Sequence, residues 1–129
     1  MIDDATKRAL FIDIHRDIAE ASAKAVERIG QSGTGLVYPP NAEFTHAERA
    51  ALEQMQLSDA ARSGLQKLVA EACSTVMFRF FELADGVADP TTGDFAVWLG
   101  VSLAPKPAED EPMLHDEFYE SYWNYRGRA

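Results

Sequence analysis

The stretch FAVWLGVSL, Phe95 to Leu103, decides the fold class of this chain. Phe95, Val97, Leu99, Val101 and Leu103 alternate with Ala96, Trp98, Gly100 and Ser102. A period of two is that of an extended strand with one strongly apolar face. The turn residues of ADPTTGD, Ala88 to Asp94, stand directly before it. Val87 and Ala88 are therefore expected to begin the partner strand of a hairpin. A lone hairpin is marginal, so helices, a third strand or a second copy must cover it.

Upstream of Gly86 the period is helical. Ser58 has the character of an N-cap, and a helix is expected from Asp59 to about Asp85 with Gly86 at its left-handed stop. Leu65, Leu68, Val69, Ala72, Val76, Phe80 and Leu83 form one continuous stripe, and Met77, Phe78 and Phe81 widen it. A helix apolar on most sides belongs in the interior, so this helix is expected at the centre of the fold. Its Cys73, the sole cysteine, reads as a small core residue.

The first helix is expected from Asp4 to about Gln31. Leu10, Phe11, Ile14, Ile18, Ala21, Ala25 and Ile29 share one arc of its wheel, opposite Asp13, Arg16, Asp17, Glu20, Lys24 and Glu27. The loop GQSGTGLVYPPNAEF, Gly30 to Phe44, has no helical period and carries Pro39-Pro40. Thr45 and Glu48 have capping-box spacing and open a short second helix ending near Gln56. The charged loop APKPAEDEP, Ala104 to Pro112, leads to a closing aromatic helix from Leu114. There Leu114, Phe118, Tyr122 and Tyr125 are expected to face the core, with His115, Tyr119 and Trp123 forming a second stripe beside Asp116, Glu117 and Glu120. The expected architecture is thus α+β and mostly helical. A long N-terminal helix and a central third helix pack with a small hairpin and an aromatic C-terminal helix, in one domain over residues 1–129.

With 47% hydrophobic and 26% charged residues, the composition is that of a soluble globular chain. The acidic start and the lack of a long apolar run argue against a signal peptide or membrane span. One cysteine cannot close an intramolecular disulfide, which suits a reducing cytoplasm. The net charge of −9 is uneven. Residues 81–125 contain ten acids and one base, Lys106. Such a field repels nucleic acid and attracts a basic partner.

Sites of chemistry are thinly supported. Gly30, Gly33 and Gly35 follow a helix rather than a strand and lack the lysine of a phosphate loop. Asp85, Asp89 and Asp94 lack the ligand spacing of a calcium loop. Glu43 and His46 have the Glu-x-x-His spacing of metal bundles without a second copy. No metal and no cofactor is expected. Arg79 projects between Leu68 and Ala72, where a charge must be paired or line a cavity.

Three functional classes follow. The leading one is a non-catalytic interaction protein that binds a basic protein partner through the acidic C-terminal third, in the manner of an inhibitor or toxin-neutralising protein. Its surface would comprise Asp116, Tyr119, Glu120 and Trp123, with neither nucleic acid nor membrane as a partner. The second is a small enzyme or ligand-binding protein with a pocket around Arg79, Trp98, His115 and Tyr119. The third is a structural homodimer joined through the edge of the 95–103 strand.

Overall fold

Helix ends govern how this chain is built. The computed structural model describes residues 2–31, 35–91, 93, 96–106 and 114–127, apart from the Asp116 side chain. Its elements are α1 (Asp4–Glu27), α2 (His46–Gln54), α3 (Asp59–Ala84) and α4 (Leu114–Gly127). Two compact units emerge: Met1–Val26 with Leu57–Lys106, and Glu27–Gln56 with Pro107–Ala129.

In the first unit, α3 starts where its cap dictates, the Ser58 hydroxyl accepting the Ala61 amide at 3.1 Å. It stops in a paired closure around Gly86, whose φ of +72° is the left-handed value a stop residue needs. There the Val87 amide donates back to the Glu82 carbonyl at 3.1 Å and the Gly86 amide to Leu83 at 3.2 Å. The α1 helix packs against α3, with Phe11 edge-on to Phe81 at 5.3 Å. Phe11 lies near the start of α1 and Phe81 near the end of α3, so the pair runs antiparallel. Ser22 and Val26 of α1 are the buried residues of this pair, and no residue of α3 is fully buried.

The expected hairpin does not form. Among the described residues there is no strand, and the fold is all-α rather than α+β. Two features of the α3 terminus account for this. The amides of Val87 and Ala88, needed for a strand ladder, both donate to the Glu82 carbonyl as part of the helix stop. Residues 96–106 then run past that terminus as a strap: the Val101 amide donates to Ala84 at 2.8 Å, and the Ile2 amide donates to Leu103 at 3.2 Å. Phe95 lies outside the described residues. The alternation of the strap survives with its faces exchanged. Trp98 and Gly100 turn towards the protein, while Val97, Leu99 and Val101 are exposed. Without a strand, the edge expected to join two copies is lost as well.

The central position expected for α3 is corrected too. Met77 and Phe81 lie on its half-buried side, whereas Leu68 and Val76 of the long stripe are 62% and 68% exposed. An apolar helix has more faces than one neighbour can cover, and α1 covers only one of them.

In the second unit, α2 is capped as its sequence requires, Thr45 accepting the Glu48 amide at 3.1 Å. The Arg28 guanidinium donates to the Gly35 carbonyl at 2.7 Å and ties the loop to the end of α1. Phe44 lies under Arg49, whose guanidinium carbon is 5.8 Å from the ring centre.

Candidate interaction surfaces

The closing helix carries its aromatic residues where helical spacing puts them, and Tyr38 of the loop between α1 and α2 gathers them. The Tyr38 ring lies nearly parallel to Phe118 at 6.2 Å, edge-on to Tyr122 at 5.5 Å and tilted to Tyr119 at 6.1 Å. Beyond this group, Trp123 stands edge-on to Tyr122 at 5.3 Å, and Tyr125 is 6.0 Å from Tyr122. Offset and edge-on arrangements of this kind let each ring present its positive edge to a neighbour's face.

This cluster does not bury the expected inward face. Leu114, Phe118 and Tyr125 are exposed, and Tyr122 alone of the four is half-buried. The second stripe is open as well: Tyr119 is 42% and Trp123 52% exposed. Glu117 and Glu120 are exposed on the same helix, as is His115. The Asp116 side chain lies outside the described residues. Helix α4 therefore presents aromatic surface bordered by carboxylates.

The four residues expected to form a ligand pocket divide between the units, Arg79 and Trp98 in the first, His115 and Tyr119 in the second. Arg79 and Trp98 meet different parts of the α3 terminus. One guanidinium nitrogen of Arg79 donates to the Asp89 carbonyl at 3.1 Å, and the other is 3.8 Å from the Glu82 carboxylate. The Trp98 indole donates to the Leu83 carbonyl at 2.7 Å. Asp89, Pro90, Val97 and Trp98 line a cavity of about 450 Å³. Arg79 is thus linked to the wall of that cavity through Asp89.

A feature missed by sequence reasoning is a groove between α1 and α3 of about 520 Å³, lined by Phe11, Ile14, Ile18, Phe78 and Phe81 together with His15 and Glu71. Its signal was available in the widening of the α3 stripe by Phe78. Tyr38 was missed also, because no periodicity links a loop residue to a helix that follows it at a distance. Among the described residues, no group of three or more His, Cys, Asp or Glu side chains could hold a metal ion, and no helix is long and apolar enough to cross a membrane. No protein-family model, curated protein or solved structure matches the chain.

Proposed function

We propose that this chain is a non-catalytic interaction protein of the cytoplasm that engages a basic protein partner through α4. One observation carries the reading: Tyr119 and Trp123 are half exposed on a helix that also exposes Glu117 and Glu120. Rigid aromatic side chains supply contact area at low entropic cost and recur as anchors of interfaces. Surrounding carboxylates steer a positively charged partner and reject an acidic one. The charge of the chain supports the same direction, since residues 81–125 hold ten acids against Lys106. A lone, half-buried Cys73 suits a reducing compartment.

The test is affinity capture from native lysate with wild type and Trp123→Ala, at low and high salt, with mass spectrometry of retained proteins. Basic proteins should be retained at low salt, released at high salt, and lost from a Trp123→Ala chain whose circular dichroism is unchanged. Retention of the same proteins by folded Trp123→Ala would dismiss the reading.

A further inference from the structure

We infer that the cavity between the loop before α2 and the start of that helix binds a small zwitterion, an α-amino acid with an apolar side chain. The cavity lies in the second unit and has a volume of about 510 Å³, a size usual for small-molecule sites. Its key wall is a pair that α2 has little local reason to carry. Phe44 stands before the Thr45 cap, and Arg49 is the fourth residue of the helix. These two positions often hold an apolar pair that fixes the entry of the chain. Here a guanidinium takes the second place, half-buried and 5.8 Å from the centre of the Phe44 ring. The ring orients the charge and removes part of its water. Among the described residues this guanidinium has no ion pair and no hydrogen-bond acceptor. A planar fork held in that way is suited to a carboxylate.

Charge identifies the ligand class. Glu43 and Asn41 border the same cavity, and their side chains are likewise without a partner among the described residues. A plain anion would meet the Glu43 carboxylate, and a plain cation would meet Arg49. A molecule that offers a carboxylate to Arg49 and an ammonium group to Glu43 satisfies both. Leu36, Val37 and Phe44 complete the lining with apolar surface, which calls for an apolar third group. An α-amino acid carries these three groups on one carbon. The frame is also in place before any ligand arrives. Arg28 fixes the Gly35 carbonyl at 2.7 Å, and the Ala42 amide closes a turn on Pro39 at 3.0 Å, with Asn41 at a φ of +63°. A loop tied at several points loses little entropy on binding.

The experiment is calorimetric titration of the full chain with L-leucine, L-valine and L-phenylalanine. Two analogues of leucine accompany them: isocaproate, which lacks the ammonium group, and isoamylamine, which lacks the carboxylate. At least one amino acid should bind with a dissociation constant below about 1 mM. Each analogue should bind wild type at least about tenfold more weakly than leucine, the loss expected with one charge-assisted hydrogen bond. Arg49→Met and Glu43→Gln, with unchanged circular dichroism, should each weaken leucine by a similar factor. Leucine and isocaproate should then bind Glu43→Gln alike, because the group that distinguishes them is gone. No binding of any of the three amino acids at about 10 mM overturns the proposal. Analogues that bind wild type as tightly as leucine overturn it too, and that comparison needs no variant to fold. Undiminished binding of leucine by folded Arg49→Met would place the ligand elsewhere and overturn it equally.

Discussion

Gly100 is seated against Gly86, backbone to backbone. A Cβ on Gly86 would lie 2.7 Å from the Leu99 carbonyl oxygen, and one on Gly100 would lie 2.7 Å from the Gly86 amide nitrogen and run into the Ala84 carbonyl. Both residues have positive φ, +72° and +86°. The stop of α3 and the strap that crosses it are therefore one structural unit, possible only with glycine on both sides. Gly100→Ala should destabilise the protein by at least about 2 kcal/mol, from left-handed strain and overpacking together. Gly64, inside α3 with open space around it, supplies the contrast. Gly64→Ala should stabilise by about 0.5–1 kcal/mol. Urea midpoints of the two variants should move in opposite directions, and equal shifts would contradict the account.

Trp98 holds the strap by its indole hydrogen bond to Leu83. Trp98→Phe keeps most of the packing and removes that donor. The Leu83 carbonyl retains the Gly86 amide at 3.2 Å, so no acceptor is orphaned. The expected loss is about 1 kcal/mol. Hydrogen exchange at the Val101 amide should rise with it, because that amide is bonded to Ala84 from the same strap. Unchanged protection of Val101 would show that the strap is held by other means.

Phe81 and Phe118 provide opposite readings of an aromatic truncation. Phe81 is half-buried against Phe11, whereas Phe118 is 60% exposed. Phe81→Ala should cost about 2–3 kcal/mol, below the range for a fully enclosed ring. Phe118→Ala should cost no more than about 1 kcal/mol, the value of its ring contacts. Thermal denaturation of both variants, at one protein concentration, checks the order.

Asp3 gives α1 a pH dependence of known sign. Its carboxylate accepts the Thr6 amide at 2.7 Å, and this bond holds its pKa below the ordinary 3.8. A carboxyl group lowered on folding stabilises the folded form above its unfolded pKa and loses that contribution as pH falls through the folded value. The advantage of wild type over Asp3→Ala should thus be complete at about pH 6 and fade below about pH 4. A difference that persists undiminished at about pH 2 would assign the effect to something other than the cap.

Much of the helical framework was legible in the chain because caps and stops are local. Ser58, Thr45 and Gly86 each act within a few residues, through hydrogen bonds that any chain with those side chains can form. Helix boundaries followed from them to within a few residues. The acidic, aromatic character of α4 was readable for the same reason, since helical spacing alone aligns Tyr119 with Trp123.

What the tertiary structure decided was which faces meet. The alternation from Phe95 to Leu103 predicts a two-sided segment, but a strand exists only if another backbone accepts its hydrogen bonds. Here the available amides of Val87 and Ala88 belong to the α3 stop, and the Val101 amide belongs to Ala84. The same holds for α3, whose pattern is apolar nearly all round and so cannot say which side α1 will take. Phe11 on Phe81 made that choice and left Leu68 and Val76 outside. Periodicity is a property of one element, whereas burial depends on two, and the second is specified only when the chain has folded.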